Sequence, residues 1–233
     1  IIKKVPLASE KLIFIKNDFL VLTKEPATIM EHYPKSGTKK LLLVADMPDF
    51  PNSSGRVVVS DIQNTVLDGM TYYEDMHFPL LNDTDGVSLE RVDADKPSSH
   101  RDNWHSASET EGFATPGYVN SQRAGKIETD SQIKLSPKIV TPNNDGRDDQ
   151  LQITYSFNSP GYTANISIYD TKGREVVRLC SNKQLGTNGT LYWDGINADN
   201  KVVQTGYYIV FIELFDLKGN LNHYKKTVVI AGI

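Results

Sequence analysis

The sequence predicts an all-β protein built as two β-sandwich domains in tandem, and three observations carry that prediction. Leu151-Gln152-Ile153-Thr154-Tyr155-Ser156-Phe157 alternates apolar and polar residues, so one face of the run is buried and the other wet. Clusters of Gly, Asn and Asp punctuate this and several similar short runs, as turns between strands require. The chain has 233 residues, 39% of them hydrophobic, enough for two cores of ordinary size.

In the first half, Leu12-Ile13-Phe14-Ile15 and Phe19-Leu20-Val21-Leu22 are apolar runs separated by the turn Lys16-Asn17-Asp18. Pro26 to Tyr33 reads as one short helix, because Pro suits a first helical position that has no use for an N–H, and Ile29 and Tyr33 fall on one face. Strands follow at Leu41 to Ala45, Val57 to Val59, Val66 to Tyr73 and Val87 to Val92. Glu90 and Arg91 point to opposite faces of the last strand. Arg91 is therefore expected to reach a carboxylate on a neighbouring strand or loop carbonyls near Trp104. Asp93 to Gln122 is rich in Ser, Asp, Pro and Gly and reads as loop, pinned by Trp104, Phe113 and Tyr118. Arg123 to Asp130 is polar and patternless, which places a linker over 123–134 between domains at 1–122 and 135–233.

The second half is more regular. Ala164 to Tyr169 is a strand, Asp170-Thr171-Lys172-Gly173 a turn, and Glu175 to Leu179 the returning strand. Leu191-Tyr192-Trp193 runs into the tight turn Asp194-Gly195. Tyr207 to Phe215 is apolar on both faces except at Glu213, which calls for a central strand or an outer face that is covered. Asp216 to Asn220 turns into a last strand, His223 to Ile230.

Charge and cysteine usage exclude several function classes. The formal net charge is −4 and no basic stripe is present, which argues against nucleic acid as a partner. From Leu135 onward there are 10 Lys/Arg and 9 Asp/Glu; before it, 15 and 20. Cys180 is the only cysteine, so no intrachain disulfide forms and the residue is expected to be a small buried hydrophobe. No apolar run reaches the length of a transmembrane helix. The opening Ile1-Ile2-Lys3-Lys4 suggests a processed or truncated piece.

The densest chemistry lies in Thr141-Pro142-Asn143-Asn144-Asp145-Gly146-Arg147-Asp148-Asp149. Calcium takes six to eight oxygens at alternating positions of a curled loop. Asn143, Asp145, the Arg147 carbonyl and Asp149 supply that alternation, with Asp148 as a substitute for Asp149 and Gly146 at the bend. The alternative is an Asx-rich turn whose side chains cap backbone N–H groups. A calcium ion here would be structural. Catalytic signals are weaker. There is no Gly-x-Ser-x-Gly elbow and no phosphate-binding Gly-rich loop. His77, His100 and His105 lie near Glu74, Asp75, Asp102 and Glu109 in sequence, but without zinc-site spacing. They read as hydrogen-bonding loop residues.

Two family resemblances rest on quoted residues. Pro142 to Asp149, Ile168-Tyr169-Asp170-Thr171-Lys172-Gly173-Arg174, Trp193-Asp194-Gly195 and Gly206-Tyr207-Tyr208 resemble the flagellar-hook-cap-type immunoglobulin-like domain and the C-terminal domains of Bacteroidetes surface and gliding proteins. In some relatives such a domain directs type IX export or anchors the protein at the surface. Phe19 to Lys24, Asp75 to Leu80, Gly86 to Arg91, Asn103 to Ala107 and Ala114 to Tyr118 resemble a bacterial lamin-tail domain, itself an immunoglobulin-like sandwich. This second resemblance departs at its start, for the Asn-Glu pair and Tyr/Phe-x-Glu-Leu segment of such domains are missing before Ile13. The first strands are thus expected to be lacking. Together the resemblances imply a non-catalytic extracellular or cell-surface module. Its N-terminal domain would bind a protein or glycan at the cell envelope, and its C-terminal domain would serve support, export or anchoring. The alternative is the accessory region of a secreted hydrolase with its catalytic domain upstream.

Overall fold

The computed structural model describes residues 4–7, 18–124 and 132–232. The expected strand Leu12 to Ile15 and most of the expected linker lie outside the described residues. The chain forms two compact units: Ile1–Ala107 with Gly112–Ser121, and Ser108–Glu111 with Gln122–Ile233.

Among the described residues, the first unit holds three two-stranded sheets. Strand β1 (Val21–Thr23) is followed by helix α1 (Pro26–His32) and β2 (Leu41–Leu43). Crossing over through α1 lets β2 run parallel to β1. The helix begins at Pro26 as the sequence predicts, with Glu25 as its N-cap residue and the Thr28 hydroxyl donating to the Glu25 carboxylate at 3.1 Å. Strands β3 (Ser54–Ser60) and β4 (Val66–Tyr73) form an antiparallel ribbon, and β5 (Leu89–Arg91) pairs with β6 (Trp104–Ser106).

Strand β6 lies inside the stretch expected to be loop. Its three residues are too few to show a period, and what holds them is side-chain chemistry. Asn103 is buried; its amide donates to the Asp93 carbonyl and accepts from the Asp93 N–H, both at 2.9 Å. Trp104 donates its indole N–H to the Ser98 carbonyl at 2.8 Å. Arg91 makes both contacts expected of it, reaching the Asp68 carboxylate at 2.9 Å and the Ala94 and Lys96 carbonyls at 3.2 and 2.5 Å.

The second unit is a sandwich. Strands β7 (Ile133–Ser136), β8 (Ile139–Val140), β9 (Leu151–Ser156), β10 (Thr163–Asp170), β11 (Glu175–Gln184), β12 (Asn188–Trp193), β13 (Gly206–Phe215) and β14 (Leu221–Ile230) form sheets of order β12-β9-β7 and β11-β10-β13-β14-β8. The boundary drawn at residue 135 falls inside β7, where Ile133 pairs with Tyr155. The core includes the face predicted for the Leu151–Phe157 run. Leu151, Ile153, Tyr155 and Phe157 face Ala164, Ile166, Ile168, Val210, Ile212 and Leu214, all at 3% exposure or less. Strand β13 is central, flanked by β10 and β14; one face is buried, while the other, with Ile209 and Phe211, is half-buried and Phe211 meets Tyr169 and His223 on the neighbouring strands.

One turn design recurs. In Asp170–Arg174, Asn197–Lys201 and Asp216–Asn220 the first side chain accepts N–H groups two and four residues on, and the fourth residue has positive φ (Gly173 77°, Asn200 58°, Gly219 79°). The side chain substitutes for a missing strand partner, and Gly and Asn adopt that φ readily. The first unit repeats the design at Asp61–Thr65, with Asn64 at 66°.

Candidate functional site

The Asn143–Asp149 loop connects β8 to β9 and stands in solvent. Its backbone alternates in hand, with positive φ at Asn144 (61°), Gly146 (85°) and Asp148 (54°). Such alternation turns successive N–H groups toward one concavity, an arrangement that suits an anion. Here the anion is the chain's own Asp149. Its two carboxylate oxygens accept from the N–H of Asn144 at 2.7 Å and of Gly146 at 2.8 Å. The intervening N–H groups are used as well. Asp145 N–H donates to Asn143 Oδ1 at 3.0 Å, and Arg147 N–H to Asp145 Oδ1 at 2.8 Å. Thr141 closes the base of the loop, its N–H on the Asp148 carbonyl and its hydroxyl on the Arg147 carbonyl at 2.8 and 3.2 Å.

All four residues named for calcium thus lie in one loop, and Asp149 rather than Asp148 points inward. Their oxygens are already engaged by N–H and O–H donors. Among the described residues, no group of three or more His, Cys, Asp or Glu is placed to hold a metal. Calcium ligation through Asn143, Asp145, Arg147 and Asp149 is kept as a proposal.

The other motif residues are structural parts of the same sandwich. Trp193 is 2% exposed, donates to the Ile196 carbonyl at 2.9 Å and meets Tyr208 edge-on at 5.5 Å. Backbone N–H groups, first that of Arg174, hold the Asp170 carboxyl below the usual carboxylate range. The Asn220 side chain and then its N–H do the same for Asp216. Burial pushes the Cys180 thiol up to about 11, so it is a neutral thiol at physiological pH.

In the first unit, His77 and His105 come together at Ser106. His77 Nδ1 lies 3.0 Å from the Ser106 hydroxyl and His105 Nδ1 3.1 Å from its carbonyl. Burial lowers both imidazoles below their ordinary value. Glu90, also buried, accepts from the Thr115 and Ser121 hydroxyls. The sequence singled out neither Glu90 as a buried acceptor nor Ser106 as a hub. An ionisable residue in a strand of three carries no period to mark it as inward-facing.

The sandwich and its loops are those of an immunoglobulin-like domain. Residues 134–230 match the family described as the CHU_C Type IX secretion signal domain. This match supports reading residues 134–230 as a Bacteroidetes-type C-terminal domain, and a type IX secretion signal implies export to the cell surface or extracellular space. No curated protein matches the chain. Among solved structures, the chain is similar to PorZ, a surface component of the type IX secretion system of Porphyromonas gingivalis, at 18% identity over 42% of this chain and 11% of that one (TM-score 0.30). It is also similar to FlgD of P. aeruginosa, at 17% identity over 35% and 62% of the two chains (TM-score 0.29). FlgD of Xanthomonas campestris, described as a hook-capping protein of flagellar assembly, gives 22% over 35% and 57% (TM-score 0.28). Each alignment spans less than two thirds of the solved chain. No helix among the described residues is long and apolar enough to cross a membrane.

Proposed function

We propose that the chain is a non-catalytic cell-surface or secreted module. Its second unit is the part read and retained by the type IX machinery, and its first unit is a lamin-tail-like domain that binds a ligand at the envelope. The observation that carries the reading is the family match over residues 134–230, which falls on a complete sandwich with its own core. The chemistry of the remaining groups supports a non-catalytic role. His77 and His105 each spend a ring nitrogen on Ser106, and Cys180 is held as a thiol. For the first unit, support comes from the residues that carry its resemblance. Glu90, Asn103, His105 and Ser106 are all buried there and build its hydrogen-bonded interior.

The test is localisation. The tagged chain is expressed behind a general secretory leader in a Bacteroidetes host with an intact type IX system and in one lacking it. Surface or medium exposure in the first host and periplasmic accumulation in the second is the expected result. Deletion of 134–230 is expected to give the periplasmic pattern in both. Surface exposure without the type IX system, or without residues 134–230, refutes the proposal.

A further inference from the structure

The first unit carries an open groove of about 440 Å³ between β4 and the loop that leads into β5. Phe50 and Tyr73, lining it, are 49% and 42% exposed. One face of Tyr73 is taken by the Arg101 guanidinium at 5.1 Å, and the ring is thereby held in place. Tyr72 is held too. Its hydroxyl donates to the Pro51 carbonyl at 3.0 Å, and its ring lies over Gly55, where a β-carbon would sit 2.3 Å from that hydroxyl. Side-chain polar groups line the same groove. Asn52 donates to the Asp85 carboxylate at 3.4 Å, and the Nδ1 contact of His77 with Ser106 leaves its Nε2 as the remaining ring nitrogen. Among the lining residues Asp85 is the one carboxylate, and there is no Lys or Arg.

We propose that this groove is a binding site for a neutral oligosaccharide. The ring faces of Phe50 and Tyr73 would lie against the C–H face of a pyranose, with Asn52, Asp85 and His77 Nε2 on its hydroxyls. The volume is that of a small-ligand site in which a few placed polar groups interrupt apolar walls, and rigid aromatic rings supply contact area at little entropic cost. An anionic ligand meets a carboxylate and, among the lining residues, no Lys or Arg. A purely aliphatic one strips water from Asn52, Asp85 and His77 and returns no hydrogen bond. A peptide adding as a strand needs open backbone groups. However, the Gly69 carbonyl accepts from Ser98 at 2.7 Å, and the N–H groups of Asp85 and Val87 are used within their own turn. A sugar combines C–H faces with hydroxyl edges, as this groove combines rings with polar groups.

This inference does not depend on how the chain is exported. The test uses the purified full chain titrated with cellohexaose, mannohexaose and chitohexaose by calorimetry and saturation-transfer NMR. At least one is expected to bind with a Kd of about 1 mM or tighter, with Phe50→Ala and Asp85→Ala each weakening it about tenfold or more and Phe50→Tyr retaining it. All three substitutions fall on exposed side chains, and an unchanged melting midpoint shows that the variants fold. The proposal is overturned if no hexasaccharide binds at about 5 mM. Binding that survives both alanine variants overturns it too, as does a groove that takes an apolar peptide in place of every sugar.

Discussion

Replacing Asp149 by Asn tests whether the Asn143–Asp149 loop is organised by its own carboxylate. The carboxylate bridges two N–H groups, of Asn144 and Gly146, at 2.7 and 2.8 Å. An amide keeps one oxygen for one of them and turns an NH2 group toward the other. The change removes one charge-assisted bond and sets donor against donor, while side-chain volume hardly alters. Such a loss is worth about 1–2 kcal/mol, with solvent access placing it toward the lower end. For a domain of this size the midpoint of its thermal transition should then fall by about 4–10 °C. Asp148→Asn is the control. It removes the same charge one residue away, and Asn tolerates the φ of 54° found there, so a change within about 2 °C is expected. Differential scanning calorimetry in chelator separates the two. If both variants melt within about 2 °C of one another, the loop is not built on Asp149 and the reasoning fails. The same scans with calcium test the ion. A raised midpoint that Asp145→Ala abolishes establishes a calcium site, and an unchanged midpoint leaves the loop held by its own hydrogen bonds.

Acid should destabilise the two units over different ranges. Asp170 and Asp216 have folded pKa values below the ordinary 3.8, and Glu175 below its ordinary 4.5; their stabilisation is present above those values and lost as pH falls through the folded ones, so these groups weaken the second unit only below about pH 4.5. His105 and His77 are depressed from 6.5 by burial, so the first unit loses stability as soon as pH falls below about 6.5, and melts at pH 7.5, 5.5 and 3.5 read both effects. Native Cys180, at about 11 against an ordinary 9.0, carries about 100-fold less thiolate at pH 8. Higher intrinsic nucleophilicity offsets about tenfold of this, so iodoacetamide should label it about tenfold more slowly than in denaturant; equal rates would refute its burial. Gly189→Ala should cost about 1–3 kcal/mol, measured by urea denaturation, because a β-carbon there meets the Tyr155 hydroxyl at 2.3 Å and the ring must leave its place.

The sequence by itself determined the sandwich of the second unit. Burial there follows a period of two, which is a local property: Leu151, Ile153, Tyr155 and Phe157 declare their face without reference to any partner. Turn chemistry is equally local, since Asp170 and Asp216 bond to N–H groups two and four residues away. Tertiary structure alone decided what depends on residues distant in sequence. Ser108–Glu111 belongs to the second unit because Ser108 donates to the Gln184 carbonyl at 3.3 Å and Lys183 reaches Glu109 at 2.9 Å, contacts no local pattern announces. Strand β6 is held by its pairing with β5 and by Asn103. Tyr72 and Tyr155 lie over Gly55 and Gly189, contacts between strands that no single strand's pattern shows. Within the loop, spacing names Asp149, with Asp148 as its substitute. The alternating hand of the backbone, which sets where each N–H points, selected Asp149.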